Sequence, residues 1–460
     1  MNSEWVIHTV EEIAAPTPAA MATGPFGSSI SAKYFVDSGV PVIRGSNLSP
    51  DTSTRLIEDG LVFITAEKAG EFERSTARRG DLIFTCWGTI NQVGLIDGRA
   101  TFDRYVVSNK QMKLTVDPMK ADPRFIYYVF SSPEKQTEIL DNGIGSSVPG
   151  FNLGQLKRHQ ILLPSLTEQR AIANFVESLD NRITLLRQTN ATLEAIAQAL
   201  FKSWFVDFDP VRAKRDGRAP EGMDEATAAL FPDSFEDTEL GLVPVGWRRG
   251  VLGELMELTK GCSYKGDGLS DTDGAHMFNL GCFNARRVFA TDKVKRYVGD
   301  YKARHEVCAG DLILANTDMT QARDILGRPV FVPEGFSPGF ISHHVFKVSI
   351  RDPFAGSADA ARRYLFFALQ QNSFRERAIG FATGTTVLAL PAAAILESPC
   401  CLPPESVLAA FDGAVSPVLS RILVNERTSQ TLTSIRDTLL PRLISGQLRL
   451  PELETVAEVA

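Results

Sequence analysis

Carboxamide and guanidinium side chains present two hydrogen-bonding atoms in one plane, the geometry that fits the edge of a purine base. In this chain they gather on polar loops that leave β-like runs. The loop Thr85-Cys86-Trp87-Gly88-Thr89-Ile90-Asn91-Gln92 follows the run that begins at Gly80-Asp81. The loop Ala315-Asn316-Thr317-Asp318-Met319-Thr320-Gln321-Ala322-Arg323 follows the run that begins at Gly310-Asp311. Thr89, Asn91, Gln92, Asn316, Thr317, Gln321 and Arg323 are therefore the candidates for reading base edges, and Asn47 joins them. Lys33, Arg44, Lys110, Lys260, Lys265, Arg286 and Arg287 are candidates for contacts to phosphate. Plain turn chemistry and solvated surface explain the same residue types equally simply.

Catalytic chemistry is not marked in the same way. Gly261 to Gly266 has the spacing of a phosphate loop, but Asp267 stands where the lysine belongs. The six histidines (8, 159, 276, 305, 343 and 344) form no metal pair at helical spacing. His343 and His344 are adjacent in a β-like run and are predicted to point to opposite faces. No Asn/Asp-Pro-Pro-aromatic motif for methylation of an amino group occurs, and Pro232-Asp233 has no acid-x-Lys triplet behind it. The expectation is a chain without catalysis of its own, and without cofactor or metal.

Behind these loops stands an internal repeat. Trp5, Val10, Glu12 and Ile13 recur as Trp247, Leu252, Glu254 and Leu255, and Gly80-Asp81-Leu82-Ile83 recurs as Gly310-Asp311-Leu312-Ile313. From Leu163-Pro164 and Leu402-Pro403 onward the two copies run without a gap. Each half is thus a globular unit that tolerates insertions, followed by an element of fixed length.

That element reads as a long helix. In the first copy Ile172, Val176, Leu179, Ile183, Leu186, Asn190, Leu193, Ala197, Leu200 and Trp204 alternate in steps of four and three, a heptad seam. In the second the seam is Phe411, Val415, Val418, Ile422, Asn425, Ser429, Leu432, Arg436, Leu439 and Leu443. Ser165-Leu166-Thr167-Glu168 is a capping box, Pro441 is expected to end or kink the second helix, and Gly446 to stop it. Antiparallel pairing with full overlap sets Asn190 opposite Asn425. The seam from 172 to 204 measures about 48 Å, somewhat over one turn of DNA at ~34 Å.

The globular units alternate short β-like runs with turns, such as 41–44, 81–85, 111–116 and 345–350. One helical stretch closes each unit, 123–140 and 359–378. The expected class is α+β: two similar mixed α/β domains, each followed by a long helix of coiled-coil character. The boundaries are 1–164 for the first domain, 165–206 for its helix, 207–246 for an acidic and aromatic linker, 247–403 for the second domain, 404–446 for its helix and 447–460 for an acidic tail. The linker is expected to be extended, with little core of its own, and to lie against the coil.

Charge and composition set the remaining bounds. The net charge is −7, but the stretch 219–240 holds seven acids and no Lys or Arg, and the tail beyond Arg449 holds three more. Setting those ten aside leaves a body at +3, compatible with a polyanion partner. No uninterrupted apolar run reaches the ~18 residues of a spanning helix, so no membrane role is expected. The N-terminus lacks the pattern of an export signal, and six scattered cysteines without a C-x-x-C fit free thiols, so a cytoplasmic protein is expected.

At Ala199-Leu200-Phe201-Lys202-Ser203-Trp204-Phe205-Val206-Asp207-Phe208-Asp209-Pro210-Val211 the chain resembles the specificity subunits of type I restriction–modification systems. The likeness continues through 229–235 and 239–247, and returns at Leu163-Pro164, Glu168-Gln169-Arg170 and Leu439-Leu440-Pro441-Arg442-Leu443-Ile444-Ser445-Gly446. It departs at Glu405-Ser406-Val407-Leu408, where Glu168-Gln169-Arg170 has no match. The resemblance implies two target-recognition domains, each reading half of a split DNA sequence. It implies a pseudo-twofold arrangement in which the two long helices pair as an antiparallel coiled coil, separate the domains and dock two methyltransferase subunits, with restriction subunits as further partners. A self-contained DNA methyltransferase and a coiled-coil scaffold without a DNA role are the alternatives.

Overall fold

The computed structural model describes residues 5–145, 149–238, 241–284, 289–320, 323–351, 358–384 and 387–450. It divides into two compact units, 1–190 with 424–460, and 191–423.

In the first unit the strand Val6–Thr9 pairs antiparallel with Gln160–Leu163, closing the globular part on itself. Within it, an antiparallel sheet runs Met21–Thr23, Gln111–Thr115, Asp81–Thr85, Val93–Leu95. A second sheet runs Val62–Ile64, Val40–Ile43, Arg104–Val107, Thr76–Arg78, its central pair parallel. Tyr127, Tyr128, Phe125 and Phe130 of the helix Pro123–Ser131 fill the core against Leu82, Phe84 and Leu114. That helix ends at Ser132, and Pro133 starts a new one to Asp141. The single stretch 123–140 is therefore two helices, because proline at 133 cannot donate into the first.

The second unit repeats this plan in its own coordinates. Arg248–Val251 pairs with Pro399–Leu402. Its antiparallel sheet runs Met256–Lys260, Val345–Ile350, Leu312–Ala315, Pro329–Phe331, the same connectivity as in the first unit. A five-stranded sheet stands beside it, with Ala275–Phe278 parallel to Gly339–Ile341. Its closing helices are Ala358–Ala368 and Asn372–Phe381, again two where one was expected.

The repeated Gly-Asp pair has one physical reason in both copies. Gly80 and Gly310 lie at φ 94° and 86°, a left-handed turn that a side chain would strain. Each following aspartate then accepts from a backbone N–H three residues before it, Arg78 or Cys308, at 2.9 Å. It also faces a lysine on the neighbouring strand: Lys113 Nζ lies 3.2 Å from Asp81, and Lys347 Nζ 3.4 Å from Asp311.

Two helices of forty residues, Leu166–Phe205 and Glu405–Ile444, run through the molecule. Ser165 Oγ accepts from Glu168 N at 3.3 Å, capping the first. The second passes through Pro441 to Ile444 and stops at Gly446, φ 74°. Pro441 does not end it: the helix runs on to Ile444, without the one bond that the Pro441 nitrogen cannot donate. In the first unit Ile172 and Val176 share a core with Leu440 and Leu443, while Asp180 meets Arg436 and Asn190 meets Asn425. Rising numbers on one helix meet falling numbers on the other, so the two segments are antiparallel there. In the second unit Phe201, Trp204 and Phe205 surround the ring of Phe411 at 5.0–5.8 Å.

The expectation that no stretch is apolar enough for a membrane is amended here. Within Glu405–Ile444 one 18-residue window has a mean hydropathy of 1.6, enough by length and composition to cross a bilayer. Of that window 28% is buried inside the fold, and Val407, Leu408, Phe411 and Val415 of the same helix lie in the core of the second unit.

The stretch 207–246 is not extended. It forms a helix at Asp209–Arg215 and a hairpin of Phe235–Thr238 with Gly241–Pro244. Phe208, Val211, Phe231 and Val243 enter the same core as Trp247. Its aromatic residues outweigh its acids, of which Glu221, Asp224, Glu225, Asp233, Glu236 and Asp237 are exposed.

Candidate nucleic-acid interface

In each unit, the loops singled out by sequence collect at one edge of the antiparallel sheet. In the first, Cys86 N donates to Lys110 O at 2.7 Å and Ser108 N to Ile43 O at 2.9 Å. Gly24 N donates to Gln111 O at 2.9 Å, and Phe151 N to Cys86 O at 2.8 Å. These bonds bring the segments around 24–27, 44–47, 86–92 and 108–110 together. The second unit has the same four bonds: Asn316 N to His344 O at 3.0 Å, Ser342 N to Phe278 O at 2.9 Å, Gly261 N to Val345 O at 2.9 Å and Leu390 N to Asn316 O at 2.7 Å. A Cβ on Gly24 would stand 2.0 Å from Ser108 O, and one on Gly261 2.2 Å from Ser342 O. Only glycine allows the strand to pass so close. The equivalence sets Cys86 with Asn316, Trp87 with Thr317, Asn109 with His343 and Lys110 with His344.

The nominated side chains fare differently. Thr89 and Lys110 are exposed, and Asn91 and Gln92 half-buried, on the first edge. Lys33 is exposed in the turn Ala32–Tyr34, its ammonium 4.7 Å from the Tyr34 ring centre. Arg44 is half-buried and donates to Gly60 O at 3.0 Å. Asn47 does not reach solvent: it is 1% exposed, accepts from Arg44 N and donates to Ile57 O, both at 2.9 Å. Its carboxamide is spent on closing its own turn.

On the second edge Lys260 and Lys265 are exposed. Asn316 and Thr317 are 3% and 7% exposed and face inward. Asn316 Nδ2 donates to His343 O at 3.2 Å, and Thr317 Oγ1 lies 2.9 Å from His344 Nδ1. As base readers these two need correcting, because both are buried, and Asn316 Nδ2 and Thr317 Oγ1 already serve the fold. Arg323 is half-buried at φ 55°, its carbonyl accepting from Arg375 at 3.0 Å. Gln321, Arg286 and Arg287 lie outside the described residues. Asp318, fully buried, accepts from Thr320 N, Thr320 Oγ1 and Ile325 N and so shapes this loop.

His343 and His344 also need correcting. They lie in the turn that precedes the strand Val345–Ile350, not within a strand, and their ring centres are 3.8 Å apart. A strand would have sent them to opposite faces; a turn sets them side by side. Burial, with Lys260 close to both, holds each imidazole below its ordinary pKa. On the first edge the exposed Trp87 ring lies against Gly150. The signal missed in the sequence was the alignment of His343-His344 with Asn109-Lys110, which needs the sheet register to be seen.

Comparison with known proteins decides what these paired edges belong to. Residues 27–195 match the family described as the type I restriction modification DNA specificity domain. The specificity subunit of the type I restriction enzyme MjaIX of Methanocaldococcus jannaschii is 25% identical over 455 residues, 98% of this chain and 95% of that one. The specificity subunit of the type I restriction enzyme HindI of Haemophilus influenzae is 24% identical over 431 residues, 82% of this chain and 88% of that one. Over almost its whole length this chain is similar to type I restriction–modification specificity subunits. Its fold is that of the crystal structure of the type I restriction–modification S subunit from M. genitalium, with a TM-score of 0.56 at 15% identity over 96% of both chains.

The long helices carry the seam read from the sequence. Every seam position is buried or half-buried: Ile172, Val176, Ile183, Leu186, Asn190, Phe411, Val415, Ile422 and Asn425 fully, and Leu179, Leu193, Leu200, Val418, Leu432 and Leu439 in part. Gln169 of the family motif is 1% exposed. It donates to Pro164 O at 3.0 Å and accepts from Asp122 N at 3.0 Å, tying the helix start to its domain.

Arg55, Asp180 and Arg436, all buried, form a charged knot in the first unit. Arg436 donates to Asp180 at 2.9 Å, Tyr128 Oη donates to Asp180 at 2.7 Å, and the Arg55 guanidinium stacks 4.2 Å from the Tyr127 ring centre. Arg187 reaches Asp51 at 2.6 Å. The second unit is joined to its helix segments by aromatic rings instead: Phe205 lies 5.1 Å from Tyr364 and 6.0 Å from Trp247.

Proposed function

We propose that this chain is the non-catalytic DNA-reading subunit of a type I restriction–modification complex. It recognises a target in two parts, one with each globular domain, and brings adenine methyltransferase and restriction subunits to that site. The observation that carries the reading is the duplicated edge. Two domains of one connectivity present the same hydrogen-bonded loop framework with different side chains on it. A duplicated frame with diverged tips suits an asymmetric bipartite sequence, which a symmetric dimer does not read.

In this proposal the domains are bounded at 1–164 and 247–403, and the helices 165–206 and 404–446 pair along their length and fix the gap between half-sites. Two methyltransferase subunits dock on the helices. The exposed Lys33, Lys110, Lys260 and Lys265 contact phosphate, and Thr89, Asn91 and Gln92 stand at the first half-site. The protein acts in the cytoplasm.

The test is reconstitution. The chain with a methyltransferase partner is expected to transfer labelled methyl groups to DNA of one bipartite sequence, and the lone chain to transfer none. Methyl transfer by the purified chain alone would establish a self-contained enzyme instead.

A further inference from the structure

Asn316 and Thr317 were the natural choices for base contacts on the second edge, yet both are buried. What they hold is informative. Thr317 Oγ1 sits 2.9 Å from Nδ1 of His344, and Asn316 Nδ2 donates to the carbonyl of His343 at 3.2 Å. The two buried side chains brace one turn, and that turn presents two imidazoles 3.8 Å apart.

In the arrangement that leaves both Nε2 atoms as donors, the Thr317 hydroxyl donates to His344 Nδ1. A hydroxyl that donates to Nδ1 of His344 leaves the proton on Nε2. Nδ1 of His343 is buried and has no partner. A proton there would be an unmet buried donor, so this ring too carries its proton on Nε2. Both rings are held neutral by burial, with the Lys260 ammonium adding to the effect. Each therefore offers one N–H donor and no charge. In the first unit the equivalent turn carries Asn109 and Lys110.

We propose that His343 and His344 are specificity-determining residues of the second domain, reading a purine of its half-site through two N–H donors. Asn316 and Thr317 are their positioning residues. The partner chemistry is a pair of adjacent acceptors on one base edge, and guanine, with O6 and N7 side by side in the major groove, supplies it. This assignment rests on the DNA-reading function proposed above.

The experiment uses the chain assembled with its methyltransferase partner and a DNA library randomised in both half-sites, with methylation as the readout. His343→Ala/His344→Ala is expected to relax preference at one position of one half-site by roughly 5- to 150-fold, the range for a lost bidentate contact. The other half-site and the spacer stay as in the wild type. The milder His343→Asn/His344→Asn pair guards against a folding defect, and its assembly with the partner is checked first. Thr317→Val, which removes the hydroxyl and keeps the volume, is expected to relax the same position, and Thr317→Ser to restore it. Unchanged preference in the assembled variants overturns the proposal, as does a uniform loss across all sequences, which marks a phosphate contact. A wild-type complex without any sequence preference overturns the functional reading itself, an outcome distinct from either.

Discussion

Asn425 Nδ2 donates to Asn190 Oδ1 at 2.8 Å, joining the two long helices through a buried carboxamide pair. Asn190 is the one polar residue of its seam, while Asn425 shares its seam with Ser429 and Arg436; a lone buried carboxamide is costly and a matched one is not. Asn190→Leu leaves the Asn425 side chain without this partner and is expected to destabilise the first unit by about 1–3 kcal/mol. Replacing both by Leu is expected to restore stability while loosening register, seen as a wider range of accepted spacers. Urea unfolding and a spacer-length series measure the two effects.

Inserting four residues beside Asn190 lengthens the first helix by about 6 Å, close to two base-pair steps. The accepted spacer is expected to change while both half-sites keep their sequence. Methylation of targets with graded gaps reports this directly.

The charged knot and the aromatic cluster predict different failures. Asp180→Ala removes the buried carboxylate between Arg55 and Arg436 but leaves Arg436 its pairs with Asp437 and Asp51, so it is expected to cost less than the ~3–5 kcal/mol of a wholly unpaired buried charge. Phe411→Ala opens the ring cluster of the second unit and is expected to cost about 3–5 kcal/mol. Unfolding followed by tryptophan fluorescence separates them, because Trp204 and Trp247 both lie in the second core.

His159 gives the first unit a pH dependence. Burial, with help from the Lys135 ammonium, pushes its imidazole down to about 4, against a weaker opposing pull from Glu138. The ring packs 5.3 Å from Phe130. The unfolded chain therefore takes up the proton first as pH falls. Stability that is full above about 6.5 is lost toward 4, amounting to about 2 kcal/mol by pH 5. His159→Phe is expected to flatten that slope in urea unfolding between pH 7 and pH 5.

The heptad arithmetic made the helix positions legible, since a period of 3.5 is a local property and the caps Ser165 and Gly446 lie beside it. It also set 190 against 425, because the seam of each helix fixes which residues face inward. The repeated Gly-Asp pair and the Trp5 and Trp247 echoes announced two like domains. The recognition edge was not legible to the same degree. Asn47, Asn316 and Thr317 have the side chains of base readers, but hydrogen bonds to distant backbone bury them, and such partners cannot be counted from spacing. His343 and His344 were misplaced on opposite faces because the strand begins one residue later, at Val345. The linker was legible in part: its aromatics, Phe208 and Phe231 among them, marked it as packed, whereas the helix Asp209–Arg215 and the hairpin Phe235–Thr238 with Gly241–Pro244 were hidden behind its acids and prolines.

The central claim is that one chain reads two half-sites at a fixed distance. Mapping every methylated adenine in the DNA of cells that express this chain with its methyltransferase partner tests it most directly. The account predicts that the modified adenines fall within one two-part sequence whose gap never varies. Modified adenines in an uninterrupted motif, in a motif with a variable gap, or in no common sequence would contradict it.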